Sequence, residues 1–125
     1  MRILFLGDVV AKSGRKKVEE RLPGLIQETK SDFVIVNGEN SAHGKGISTK
    51  IYHSLKNAGA DVVTLGNHAY SKSEIKLHFD ECPDLVCPAN LEPVDISKMI
   101  CVKECCGKKI AVVNILGSVF MDCST

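Results

Sequence analysis

Five side chains suited to binding a cation or moving a proton stand just beyond short apolar runs: Asp8, Glu39, Asn40, Asn67 and His68. Asp8 follows Arg2 to Gly7 (R-I-L-F-L-G), and Glu39-Asn40 follow Asp32 to Asn37 (D-F-V-I-V-N) with Gly38 between them. Asn67 and His68 close the stretch Asp61 to His68, D-V-V-T-L-G-N-H. Runs of β-branched and aliphatic residues of this length read as buried strands, so the pattern places reactive groups at strand exits. Gly66 lets the backbone turn with no Cβ in the way, which frees Asn67 and His68 to project into the space beyond. Carboxylates, carboxamides and an imidazole form a hard, oxygen-rich set that suits divalent manganese or ferrous iron better than a thiolate site suits them. A carboxylate between two such ions can bridge them, and a metal pair about 3.5–4 Å apart clamps phosphoryl oxygens and acidifies water. A nearby histidine could protonate the leaving oxygen.

Singly, each residue has a simpler explanation. Asp8 could cap a loop, Glu39 could be solvated, Asn40 and Asn67 could form turns, and His68 could be a surface imidazole. Jointly, those explanations require metal-binding side chains to fall by accident at three successive strand exits.

The elements that must position these groups follow from periodicity. Arg15 to Lys30 places Val18, Leu22, Leu25 and Ile26 on one helical face, with Pro23 expected to kink or restart the helix. The glycine-containing segment Ser41 to Ile47, which carries His43, reads as a loop that stays mobile unless a ligand holds it. Ser48 is the expected N-cap of a helix through Ala58, and Gly59 supplies its left-handed stop. Ser71-Lys72-Ser73-Glu74 has the form of a capping box, predicting a helix to about Phe79 with Ile75 and Phe79 facing inward. Leu85 to Cys87 is a short fourth strand, stopped by Pro88-Ala89-Asn90. Met99 to Glu104 and Lys109 to Leu116 read as an antiparallel hairpin with Gly107 in the turn, and Gly117 to Thr125 trails off without a helix. Strand, loop and helix recur before the hairpin, so the expected fold class is α/β. Its mainly parallel sheet is covered on both faces by helices, with ligands bound at the carboxyl ends of the strands.

Composition sets the bounds. One domain over residues 1–125 is the natural reading of 125 residues. Hydrophobic residues at 44%, charged residues at 25% and a net charge of +1 are ordinary, and they give no electrostatic reason to expect nucleic acid or membrane as a partner. The apolar run Ile3 to Leu6 is too short for a signal peptide or a membrane span, so a cytoplasmic location is expected. The 6 cysteines include no C-x-x-C pair, and reduced thiols are expected. A zinc site drawn from Cys82, Cys87, Cys101, Cys105 and Cys106 is disfavoured, because Cys101 and Cys105 share the face of a strand, where a small apolar side chain is expected anyway.

Several motifs carry a family resemblance: G-D-V-V at Gly7 to Val10, N-G-E-N at Asn37 to Asn40, the H-G-K-G-I that follows, T-L-G-N-H at Thr64 to His68 and P-A-N at Pro88 to Asn90. In that order and at those spacings the chain resembles the YmdB-like branch of the calcineurin-like metallophosphoesterases along essentially its whole length. The resemblance implies half of a metallophosphoesterase-type α/β sandwich and a metal-dependent phosphodiesterase acting on cyclic nucleotides or similar phosphodiesters. It implies two divalent transition metal ions, iron or manganese. By the same resemblance Asp8 binds one metal, Glu39 bridges both, Asn40 assists on the first, Asn67 binds the second, and His68 is the leaving-group acid.

The departures from that pattern are specific. Members of the family are longer, and their second half brings further histidines, including a G-H-T-H type motif, that complete the metal sites. The remaining histidines here are His43, His53 and His78, and the last two read as helix-surface residues. Ala11 and Ser13 replace a usual glycine and proline, and Ala69-Tyr70-Ser71 stands where Thr-Trp-Asp is usual, which bears on substrate contacts. The chain is therefore expected to be a fragment, one half of a split protein, or a protein that pairs with itself. A homo-oligomer or a complementary chain would then supply the missing half-site. Two alternatives stay open: a non-catalytic phosphate- or nucleotide-binding module that uses the loop Gly7 to Arg15 at a helix N-terminus, and a regulatory protein that keeps the fold alone.

Overall fold

Four parallel strands in the order β1-β2-β3-β4 form the main sheet. The computed structural model describes residues 1–93 and 95–119. The sheet strands are β1 (Ile3–Leu6), β2 (Phe33–Asn37), β3 (Val62–Thr64) and β4 (Leu85–Val86), linked by α1 (Ala11–Thr29), α2 (Thr49–Ala58) and the short α3 (Ser73–Leu77). A separate antiparallel hairpin, β5 (Ile100–Cys105) and β6 (Lys108–Val113), completes the described chain. This is the expected α/β class.

The parallel register sorts the strand side chains by face. Leu4 pairs with Val34, Leu6 with Val36, Val36 with Val63 and Val63 with Leu85, so these residues share one face. There they pack with Val18 and Leu22 of α1, Tyr52 and Leu55 of α2, and Ile75 and Phe79 beyond β3. Phe33, Val62 and Val86 face the other way and meet Cys101, Ile110 and Val112 of the hairpin. The helices thus cover one face and the hairpin the other, which corrects the expectation of helices on both. The hairpin stops short of β1, leaving Ile3 50% and Phe5 59% exposed.

Several boundaries differ from those read off the sequence, each for a local reason. The first helix begins at Ala11 rather than after a loop through Gly14, because Val10 is extended and the Gly14 N–H closes the first turn on the Val10 carbonyl at 3.0 Å. Only Gly7 to Val10 separate β1 from α1, so the longer loop proposed for cradling an anion does not exist. The helix runs through Pro23 without ending, with fully buried Leu22 anchoring that turn against the sheet. Ser48 is the N-cap of α2 as expected, accepting from the Ile51 N–H at 3.3 Å, and Gly59 ends the helix at φ 123°. The capping box does not form. Lys72 is the N-cap of α3 with no side-chain cap bond, and the remaining turn to Glu81 is 3₁₀, although Ile75 and Phe79 do face inward. The hairpin turn is tighter than expected, because Cys106 and Gly107 both take positive φ, at 51° and 71°, and bring Cys105 opposite Lys108. Strand β6 ends at Val113, and Asn114 instead bridges to Pro88. The expectation for residues 120–125 lies outside the described residues.

Among the described residues no helix is long and apolar enough to cross a membrane.

Candidate active site

The carboxyl ends of β1, β2 and β3 bring the sequence-selected residues to one rim. Past β1 the chain runs through Gly7 to Asp8, where the Val9 N–H donates to the Asn37 carbonyl at 3.3 Å and ties this exit to that of β2. Past β2 the backbone turns at Gly38, whose N–H donates to Thr64 O at 2.9 Å. A Cβ on Gly38 would meet Ile47 Cδ1 and Val63 Cγ1, each at 3.2 Å, so the turn lies directly on the core. Past β3, Gly66 opens a turn in which the Ala69 N–H donates to the Gly66 carbonyl at 2.9 Å and the Ser71 N–H to the His68 carbonyl at 3.1 Å.

Three side chains from the three exits form one hydrogen-bonded chain. Asn40 Nδ2 donates to Asp8 Oδ2 at 2.7 Å, and Asn40 Oδ1 lies 2.9 Å from His68 Nδ1. Chemistry fixes the polarity. A carboxylate accepts and does not donate, so the amide NH₂ must face Asp8 and the amide oxygen must face the imidazole. His68 Nδ1 therefore carries a hydrogen and donates it, leaving Nε2 as the nitrogen that exchanges a proton with anything in the crevice.

Glu39 completes the cluster. Its carboxylate occupies the space over Gly66, where a Cβ would lie 1.6 Å from Oε2 and 2.3 Å from Cδ. Oε2 is buried, and among the described residues it has no hydrogen-bond partner. Burial, and after it the neighbouring Asp8 carboxylate, push the Glu39 pKa above the ordinary glutamate value. His68 and the backbone amides of His68 and Asn67 pull the other way without cancelling the rise. A buried carboxylate oxygen with no partner is costly unless a cation or a proton meets it. Asn67 is exposed, and among the described residues its side chain makes no hydrogen bond. His43 is exposed at φ 54° on the loop, outside this network, and His53 and His78 sit elsewhere, the latter against Glu81 Oε1 at 2.6 Å.

The loop after Glu39 is held by its own bonds, which corrects the expectation that it needs a ligand to order it. The Asn40 carbonyl accepts from the Ala11 N–H at 3.0 Å and the Gly44 N–H at 3.1 Å, and the Gly46 N–H donates to the Glu39 carbonyl. Fully buried Ser41 donates to the Gly38 carbonyl at 2.6 Å, and Arg15 donates to the Ser41 carbonyl. Sequence reasoning passed over Ser41 and Arg15, and read Gly66 only as a turn residue. The available signal was their position, Ser41 directly after N-G-E-N and Gly66 directly before Asn67-His68.

As a metal site the cluster is oxygen-rich but sparse. Among the described residues no three His, Cys, Asp or Glu side chains stand close enough together to hold a metal ion. The partnerless buried oxygen of Glu39 beside the Asp8 carboxylate nevertheless has the donor chemistry of a hard divalent cation, as part of a ligand set.

Comparison with known proteins gives a consistent result. Residues 4–125 match the family described as YmdB-like protein. The chain is 49% identical over 121 residues to a protein of Bacillus subtilis (strain 168) named 2′,3′-cyclic-nucleotide 2′-phosphodiesterase, covering 97% of this chain and 46% of that one. Its fold matches the crystal structure of a hypothetical protein from Thermus thermophilus with a TM-score of 0.87 at 39% identity, covering 98% of this chain and 47% of that one. It also matches a structure described as a novel phosphatase from Mycoplasma pneumoniae, with a TM-score of 0.80 at 38% identity over 93% of this chain and 43% of that one. The chain spans a little under half the length of the relatives it matches.

Proposed function

Because this chain belongs to the YmdB-like protein family, we propose that it carries the first half of a phosphodiesterase active site built around two divalent metal ions, iron or manganese. The observation that carries the reading is the single network in which Asp8, Asn40 and His68 are hydrogen-bonded beside the buried, partnerless Glu39 oxygen. Under this proposal Asp8 would help hold one ion and Asn67 the second, with Glu39 a shared ligand. Asn40 assists at the first ion from its place between Asp8 and His68. When bound, the ions would offset phosphoester charge and acidify water. Further ligands beyond these would be needed to complete both metal sites.

The chain's own residues have definite tasks in such a reaction. Asn40 holds the imidazole by its Nδ1 hydrogen, so that a second proton on Nε2 points toward the crevice. His68 delivers that proton to the departing oxygen as the P–O bond breaks. Asn40, fixed at its other end by Asp8, keeps the ring from rotating, and this orientation is worth more than the hydrogen bond alone. Gly66 leaves the room that Glu39 needs. The 2′,3′-cyclic-nucleotide activity named for the Bacillus subtilis relative makes cyclic nucleotides and related phosphodiesters the proposed substrates.

A fusion of residues 1–119 to the half of the Bacillus subtilis relative that this chain does not match tests the reading. Hydrolysis of bis-p-nitrophenyl phosphate and of 2′,3′-cyclic AMP should require added manganese or iron, stop with chelator, and fall at least about 100-fold with His68→Ala. Turnover indifferent to chelator and to His68→Ala would contradict it.

A further inference from the structure

Of the described cysteines, Cys82, Cys87 and Cys101 are buried, Cys105 is half-buried and Cys106 is exposed. The last two are neighbours where β5 turns into β6. Positive φ at Cys106 (51°) and Gly107 (71°) sets Cys105 opposite Lys108, and the two sulfurs stand 3.7 Å apart. Both side chains lie against Asp32, the residue just before β2. The Cys105 thiol donates to the Asp32 carbonyl at 3.2 Å, and the Cys106 thiol stands near the Asp32 carboxylate. That carboxylate is itself held by the Arg2 N–H at 2.7 Å. The pair therefore lies at the amino end of β2, the opposite end of that strand from Glu39.

The separation of the sulfurs decides what these thiols can do. A disulfide needs its sulfurs about 2.05 Å apart and its Cα atoms usually at least about 4.4 Å apart, whereas adjacent residues hold their Cα atoms at about 3.8 Å. Oxidation of the pair would strain the turn. Two bonds of about 2.3 Å from sulfur to one ion, meeting near the tetrahedral angle, leave the sulfurs about 3.8 Å apart, a spacing the turn already provides. We infer that Cys105 and Cys106 form a two-thiolate chelate for one soft, thiophilic ion of the class of zinc, cadmium or trivalent arsenic. On binding, two S–H bonds break, two bonds from sulfur to the ion form, and both protons pass to solvent. The Asp32 carboxylate beside the pair favours positive charge there. Soft sulfur donors select such ions over the hard divalent ions proposed at the rim, so the two sites do not compete for one metal. Among the described residues no group of three His, Cys, Asp or Glu side chains forms here, so water fills the remaining positions and the ion stays exchangeable, unlike a closed structural site. The inference stands apart from the phosphodiesterase reading.

Cadmium titration of the reduced, metal-free 125-residue chain, followed by the thiolate-to-cadmium charge-transfer band in the ultraviolet, tests the chelate. Cys105→Ser and Cys106→Ser should each weaken cadmium binding at least about 100-fold, because the second sulfur no longer acts from within the same turn. Unchanged circular dichroism in both variants shows that the fold survives. On the unaltered chain, alkylation by iodoacetamide mapped by mass spectrometry should find Cys105 and Cys106 shielded once cadmium is added, which decides the matter even where a variant misfolds. Phenylarsine oxide is the second probe: its arsenic bonds both sulfurs, and its oxygen leaves as water with the two thiol protons. That adduct should resist excess monothiol and come off with a dithiol, whereas in either serine variant the monothiol should remove it. Uptake of one probe alone supports the pair and assigns the ion as divalent or trivalent. Cadmium binding retained by both variants, shielding confined to other cysteines, or uptake of neither probe would overturn the inference. Ready closure of a Cys105–Cys106 disulfide by glutathione disulfide, in place of ion binding, would do the same.

Discussion

At Gly66 the missing side chain matters more than any side chain would. A methyl group there would overlap the Glu39 carboxylate, with Oε2 at 1.6 Å, so Gly66→Ala must push Glu39 out of its position. The backbone turn itself tolerates alanine, since Gly66 is not among the glycines at positive φ. The expected result in the fusion is a loss of phosphodiesterase turnover on the order of 100-fold, the scale of a roughly 1 Å misplacement. The thermal unfolding midpoint should move little by comparison, and a large fall in stability with turnover retained would show that Glu39 is placed by something else. Asp8, Glu39, Asn40, Asn67 and His68 were all legible as candidates because each stands within a few residues of the end of an apolar run. The Asn40 bridge and the orphaned Glu39 oxygen were not, because they depend on how three exits far apart in sequence are spaced across the sheet.

Among the elements, the α1–α2 layer and the hairpin are each fixed by one identifiable device. Gly59 ends α2 at φ 123°, and a Cβ there would lie 2.7 Å from Ile26 Cδ1 of α1. Gly59→Ala combines a disfavoured backbone with a clash and should destabilise by roughly 2 kcal/mol, seen as a lower midpoint in urea or thermal unfolding. Asp84, just before β4, ties the hairpin to the helical layer: its carboxylate takes Lys103 Nζ of β5 at 2.8 Å and Lys56 Nζ of α2 at 2.7 Å. Burial pushes the Asp84 pKa up, but the Lys103 and Lys56 ammoniums outweigh it and hold the group below the ordinary aspartate value. A pKa lower in the folded state means that this contribution is complete above the unfolded value, about 3.9, and fades as pH falls through the lower folded one. Asp84→Asn should therefore cost roughly 2 kcal/mol at pH 7, where two lysines lose their partner, and should flatten the loss of stability below about pH 4. Equal pH dependence in variant and parent would remove the ion pairs from the account. The sequence located the strands and α2 well, since the apolar runs and the Ser48 and Gly59 signals agree with the observed bounds of β1 to β3 and α2. It misplaced the start of α1 and invented a capping box, because tertiary packing of Gly14 against Val9 and of Ile75 into the core outranks local propensity.

At the scale of the molecule, the described residues form three layers: helices, a parallel sheet and a hairpin. Ile3 and Phe5 of β1 and Ile100, Val102 and Val113 of the hairpin are exposed. Strand β1, at one edge of the sheet, ends at the rim that carries Asp8 and the Asn40–His68 hydrogen bond. The exposure of Ile3 and Phe5 was not legible in the sequence, because Arg2 to Gly7 has the continuous apolar character of a strand buried on both faces. The claim on which the rest depends is that Asp8, Glu39 and Asn67 face one cation-sized space. Anomalous diffraction from crystals of the fused protein grown with manganese measures it most directly. The account predicts a peak touching the carboxylates of Asp8 and Glu39, and a second between Glu39 and Asn67. Peaks remote from all three side chains, or none at saturating manganese, would contradict it.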